Sequence, residues 1–222
     1  SITMDVGCEA RSSTKIGCGK VLTMPRILQT PVPALFPDEG EVRALILGEA
    51  PGPRGADQSG IPFWGDRAGR PLYRALATGG WAQVPERAWE RWDGAWLRAS
   101  GLRPVLKGVG LSNAFPRCPT SDGERFRAPS DAELLGQANQ DRLRRELSEA
   151  LRRSSGRLIV MALGRRAAWV LERLERRPPV DVHVLPHPSA QGLLQAAPGR
   201  GKGMRLADLE RAWEERLLAL LR

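Results

Sequence analysis

At 222 residues the chain is long enough to bury the core of one α/β domain, and its 34 Lys and Arg outnumber 25 Asp and Glu to leave a net charge of +9, which favours a polyanionic partner. No run approaches the roughly 18 apolar residues of a membrane span, and the N-terminus lacks the apolar stretch of a signal peptide, so a cytoplasmic protein with no membrane contact is expected. Three cysteines, an odd number, argue against a disulfide framework and leave metal binding or free thiols.

Residues 1–40 are irregular and read as an N-terminal extension of a single domain spanning 1–222. The first apolar run, Ala44 to Leu47, predicts a strand that stops in Gly48-Glu49-Ala50-Pro51-Gly52. A helix is predicted from near Asp66 on Leu72, Ala75 and Leu76, and a second over Glu86 to Ala99, with Trp89, Trp92 and Trp96 on one core-facing side. Val109 to Ser112 gives the second strand, ending in Asn113-Ala114-Phe115-Pro116. Ser130 with Glu133 forms a capping box and opens one long helix carrying Leu134, Leu135, Ala138, Leu147 and Leu151. Leu158 to Leu163 is the third strand; a helix on Ala167, Ala168, Leu171 and Leu174 follows Gly164. Val180 to Leu185 is the fourth, leading into His187-Pro188-Ser189, and a last helix covers Leu206 to Leu221.

Strands alternating with helices imply an α/β fold, a three-layer α/β/α sandwich around a central, mostly parallel four-stranded sheet. Ligands of such sheets bind beyond the carboxyl ends of the strands. An acid (Glu49), an amide (Asn113) and an imidazole (His187) therefore converge on one edge. The other histidine, His183, alternates with Val180, Val182 and Val184 and reads as structural.

Four blocks in order, "GEAPG" continued by "DQSGIPFWGDRAG", then "LSNAFPRC", "VMALGRRAA" and "LPHPS", resemble the uracil-DNA glycosylase superfamily, family 4 most closely, over residues of about 43 to 210. The resemblance implies a monofunctional DNA glycosylase that flips a pyrimidine out of DNA and hydrolyses its N-glycosidic bond, leaving an abasic site. DNA is the implied partner and a monomer the expected state. In this likeness Phe63 stacks on the extruded base, Asn113 reads its Watson–Crick edge, and His187 stabilises charge on the departing base. Glu49 activates water or faces the cationic sugar, and Asp57 matches a second acid; the division of labour between them stays open. Gly48, Ala50, Pro51, Gly52 and Ser189 belong to the substrate-binding set, where glycines let backbone approach DNA. Leu193 or Leu194 matches a minor-groove wedge, with Arg200, Lys202 and Arg205 on phosphates.

Family 4 also holds an iron-sulfur cluster on four cysteines. Cys8, Cys18 and Cys118 fall in three of the four regions, while Gln137 stands at the fourth, so a cluster with a non-cysteine ligand and three free thiols are both open. Three functional readings follow. The first is removal of uracil in base excision repair. The second is removal of a bulkier 5-modified pyrimidine, a hydroxymethylated or glucosylated cytosine, from phage DNA in antiviral defence, with Gly52 leaving that side of the base unwalled. The third is a DNA-binding member without turnover.

Overall fold

A computed structural model describes residues 26–222. In chain order they form β1 (Ala44–Gly48), α1 (Ala56–Ser59), α2 (Gly69–Thr78), β2 (Ala82–Gln83), α3 (Gly94–Ala99), β3 (Val105–Leu106) and β4 (Val109–Asn113). After these come α4 (Asp131–Leu135), α5 (Gln137–Arg152), β5 (Ile159–Leu163), α6 (Arg165–Arg173), β6 (Asp181–Leu185), α7 (Ala190–Ala196) and α8 (Leu206–Leu221).

The central sheet has the order β4-β1-β5-β6, and every pairing in it is parallel. Parallel strands flanked by helices are covered on both faces, so β1 and β4 carry no exposed position at all. Alternation along β1 divides the core. Ala44 and Ile46 join Leu72, Leu76, Leu97, Trp213 and Leu217 from α2, α3 and α8 on one face. Leu45 and Leu47 join Leu134, Leu143, Leu147, Val170 and Leu171 from α4, α5 and α6 on the other. These are the three expected layers. The parallel register sets Gly48 directly opposite Asn113, and Leu163 opposite Leu185, so the strand ends reach the same edge together.

Two predicted helices are broken. In place of one helix over Glu86 to Ala99 there is a short 3-10 turn, Glu86–Trp89, and then α3. The Asp93 carboxylate caps α3 by accepting from the Trp96 N–H at 2.9 Å, and the Gly94 N–H donates to the Arg54 carbonyl at 2.9 Å. A Cβ on Gly94 would sit 2.2 Å from the Gly55 carbonyl oxygen, so the break is also where this segment touches the loop after β1. The long helix predicted from Ser130 is likewise split at Gly136, whose ψ of 139° is extended. Its capping box is present as expected. Side chains of the second helix close the gap: Asn139 Nδ2 donates to the Leu134 carbonyl and Gln140 Nε2 to that of Leu135, at 2.8 and 2.7 Å. Ala138, expected on the core side, is exposed.

The tryptophans do pack against the core, and they also hold the loop after α1. Trp64 is fully buried, makes edge contacts to Tyr73 and Trp92, and donates from Nε1 to the Leu102 carbonyl. Trp92 Nε1 donates to the Asp66 carbonyl and the Tyr73 hydroxyl to that of Pro62, at 2.7 and 2.9 Å. Phe63 thus sits in a loop pinned on both sides.

Candidate functional site

The carboxyl end of β1 forms the site's centre. Gly48 pairs with Asn113 in register, and the backbone continues the bond pattern past the strands: the Ala114 N–H donates to the Gly48 carbonyl and the Phe115 N–H to the Glu49 carbonyl, both at 2.8 Å. A Cβ on Gly48 would lie 2.6 Å from Asn113 Oδ1 and 2.7 Å from the Phe63 ring, so both side chains occupy the space that glycine leaves. Phe63 and Asn113 are 5% and 2% exposed. Two buried polar atoms here have no hydrogen-bond partner: Asn113 Nδ2 and Glu49 Oε1. Groups of this kind cost about 1–3 kcal/mol when left unmet, and both lie where β1 and β4 end.

Asn113 is braced from behind. Arg142 Nη2 donates to the carbonyls of Asn113 and Ala114 at 2.9 and 3.0 Å, its Nη1 is bidentate on Glu146, and Ser112 Oγ donates to the same Glu146 at 2.6 Å. Asn139 adds a 2.8 Å bond to the Ala114 carbonyl. Asn139, Arg142 and Glu146 lie at i, i+3 and i+7, one polar stripe of α5 turned inward. That spacing is visible in the sequence but reads equally as a solvated face.

Glu49 and His187 line one cavity of about 860 Å³, together with Arg165, Arg166, Arg200 and Arg216. Burial raises the Glu49 carboxyl above its ordinary range, and the nearby Arg166 guanidinium, whose Nε lies 3.8 Å from Oε1, lowers it. Arg166 is itself held by Asp131 at 2.8 Å, by the Pro129 carbonyl, and over the Trp169 ring at 4.6 Å. Burial also lowers the His187 pKa, which favours the neutral ring. The Ser189 N–H donates to His187 Nδ1 at 3.3 Å, leaving the proton of the neutral imidazole on Nε2 as a donor. Ser189 Oγ accepts from the Gly192 N–H and caps α7, while a Cβ on Gly192 would press 2.3 Å from the His187 carbonyl oxygen. His183, half-buried on the edge strand β6, does not line this cavity.

Asp57 stands apart. Its side chain is buried, and its carboxylate accepts from the backbone N–H groups of Leu28 and Gln29 and from Gln58 Nε2, at 2.8, 3.1 and 3.0 Å. It fastens the incoming segment to α1; like Asn113 and Phe63, it is not among the groups lining the cavity of Glu49 and His187. Pro51 is buried and Ala50 half-buried in the turn after β1. Gly52 is needed for another acid: a Cβ there would meet Asp66 Oδ1 at 2.1 Å. The space in the Cβ direction at Gly52 is therefore filled from within the loop. Asp66 accepts from the Ala56 N–H at 3.1 Å, and burial pushes its carboxyl up to about 6.

Of the two expected wedge residues, Leu193 is turned inward and Leu194 is half-buried. Leu193 is 4% exposed and packs in the core cluster with Trp213, while Leu194 lies against Gly201, where a Cβ would be 2.5 Å away. The exposed apolar side chains of this stretch are Met204 and Leu206. Arg200 and Lys202 are exposed, whereas Arg205 is bound to Asp208 at 2.9 Å.

Of the expected cluster ligands, Cys8 and Cys18 lie outside the described residues. Cys118 is buried, and burial with the nearby Asp57 and Asp66 charges pushes its thiol up to about 12. Gln137 is exposed and bonded to Asp141. Among the described residues no three His, Cys, Asp or Glu side chains are grouped for a metal ion, so these residues do not by themselves form a cluster cage. Nor is any helix among them long and apolar enough to cross a membrane.

No curated protein matches the chain. The family model of the uracil DNA glycosylase superfamily matches residues 35–215, from the segment before β1 into α8. With well over half of its 222 residues covered by that match, and an all-parallel α/β/α fold, the chain belongs to the uracil DNA glycosylase superfamily.

Proposed function

We propose that the protein is a monofunctional DNA glycosylase that removes uracil from DNA in base excision repair. The observation that carries this reading is the pair of unmet atoms at the ends of β1 and β4. Asn113 Nδ2 needs an acceptor, which a pyrimidine carbonyl supplies; Glu49 Oε1 needs a donor, which a water molecule supplies. A flipped uracil with a water at its anomeric carbon meets both needs at once.

In this mechanism Phe63, fixed by the tryptophan-held loop, offers its ring to the flipped base, and stacking of about 1–3 kcal/mol offsets part of the unstacking cost. As the glycosidic bond breaks, its electron pair goes to the base and the sugar becomes cationic. His187 Nε2–H then donates to the developing charge on the pyrimidine oxygen, an interaction made only in the transition state. The ionised Glu49 faces the cationic sugar and takes a proton from the attacking water. Asp57, bonded to three donors, holds the fold. Arg200 and Lys202 contact DNA phosphates.

The test compares His187→Ala, Glu49→Gln and Asn113→Ala in single-turnover cleavage and in binding of the same uracil-containing oligonucleotides. His187→Ala is expected to slow chemistry by the equivalent of about 2.7–4 kcal/mol with binding retained. Glu49→Gln should likewise spare binding. Asn113→Ala should weaken capture of the base. Release of glucosylated or hydroxymethylated cytosine in place of uracil would give the defence reading, and binding without release of any base would give the non-catalytic one.

A further inference from the structure

The cavity in front of Glu49 and His187 has two basic walls of different origin. The start of α6 brings Arg165 and Arg166 to one side; the turn at 198–201 and the face of α8 bring Arg200 and Arg216 to the other. Their bonding differs. Arg166 is held by Asp131 and Trp169, but Arg165, Arg200 and Arg216 are exposed and have no carboxylate partner among the described residues.

Some surface arginines away from the cavity are paired instead. Arg74 pairs with Glu210 and Glu214 of α8, Arg144 with Asp141, and Arg152 with Glu149. The sequence withholds such partners at the cavity. Arg216 has Ala212 and Trp213 at i−4 and i−3, and Leu220 at i+4; Arg165 has Ala168 and Trp169 at i+3 and i+4. Three unpaired guanidiniums around one opening repel one another, and an anion brought between them relieves that repulsion. Their planar donor forks suit phosphate oxygens.

Resting on the glycosylase reading, we propose that Arg165 on one wall, and Arg200 with Arg216 on the other, hold the phosphates on the two sides of the flipped nucleotide. The target strand therefore crosses the cavity from α6 to α8, with its sugar between Glu49 and His187. Arg216 acts from a helix more than a hundred residues beyond Asn113 in the chain, so the strand is gripped by parts that only the closed fold brings together.

The experiment measures affinity of the full chain for a short duplex carrying a tetrahydrofuran abasic analogue, which cannot be turned over, as a function of salt. Each lost phosphate contact should make the slope of log K against log salt shallower by about 0.9. Between about 50 and 200 mM salt that is about a 3.5-fold smaller loss of affinity per contact. Arg216→Ala and Arg165→Ala should each show this change, the double variant twice the change, and Arg216→Lys the wild-type slope. Arg211→Ala, exposed on the same helix but outside the cavity, should leave the slope as it is. An unchanged slope in Arg216→Ala or Arg165→Ala overturns the proposal, as does an Arg211→Ala effect as large as that of Arg216→Ala. If wild type releases bases but the slopes do not move, only the strand path fails; if the slopes move but no base is released, the glycosylase reading fails and the path stands.

Discussion

Gly48→Ala is the smallest change that tests the geometry of the site. The added carbon would stand 2.6 Å from Asn113 Oδ1 and 2.7 and 2.8 Å from two Phe63 ring carbons, where carbon contacts are comfortable near about 3.5–4.0 Å. Something must retreat by about 1 Å. Phe63 has little room to do so: its φ is +62°, and its carbonyl oxygen already lies 1.8 Å from the point where a Cβ on Gly69 would be. Asn113 is no freer, since Arg142 clamps its carbonyl and β4 is bonded to β1 throughout this stretch. Overpacking of this kind costs about 1–3 kcal/mol of stability, and moving a positioning group by about 1 Å costs on the order of 100-fold in rate. Urea unfolding and single-turnover cleavage of a uracil oligonucleotide would measure the two losses. Gly60→Ala is the control, because its Cβ would meet nothing within 4 Å although φ is +74°; it should lose about 1–2 kcal/mol of stability from backbone strain and keep its rate. A Gly48→Ala protein as fast and as stable as wild type would refute the packing argument. Equal rate losses in both variants would trace the effect to stability alone.

Two pH effects follow from the same residues. Arg166→Gln removes the positive charge that lowers the Glu49 pKa against its burial, so the acidic limb of the kcat/KM profile should move to higher pH, with Arg166→Lys restoring it; a limb that stays or moves down would uncouple the pair. Asp66 bears on stability. Its carboxyl is raised from 3.8 to about 6, so the folded state keeps a proton that the unfolded chain releases. That contribution is fully present below pH 3.8 and is lost as pH rises through about 6; at 1.36 kcal/mol per unit the change is about 3 kcal/mol at most. Urea midpoints of wild type and Asp66→Asn between about pH 4 and 7 should differ in slope, and parallel curves would contradict the assignment.

The sheet was legible because its signals are local. Each of the four strands is a short apolar run closed by glycine, proline or charge, and the observed ends lie within a residue of those read from the sequence. The Ser130 and Glu133 cap is local too, and it is present. The two helix predictions that failed were decided by distant contacts. Gly94 breaks its helix because it meets Gly55, and the chain turns at Gly136 because Asn139 and Gln140 can satisfy the carbonyls it leaves behind. Hydrophobic spacing alone carries neither fact.

The site divides along the same line. Glu49, Asn113 and His187 follow strands, and a strand's carboxyl end is a place the sequence can name, so their convergence on one edge was predictable. The side chains that tune them come from helices, where the sequence shows which residues share a face but not which way that face turns. Leucine in a basic, glycine-rich stretch suggested a wedge at Leu193 or Leu194; Leu193 falls on the side of α7 that packs into the core with Trp213 of α8, while Leu194 is half-buried. Arg142 of α5 turns inward because Glu146 and Asn139 lie on the same stripe and the open carbonyls of Asn113 and Ala114 lie beneath it. Arg166 sits beside Glu49 for a comparable reason, since Asp131, the Pro129 carbonyl and Trp169 together leave its guanidinium that one place. Helical arginine thus ends as an inward polar brace at Arg142 and as an open cavity wall at Arg165 and Arg216, and the packing of the helix that carries each decides between the two.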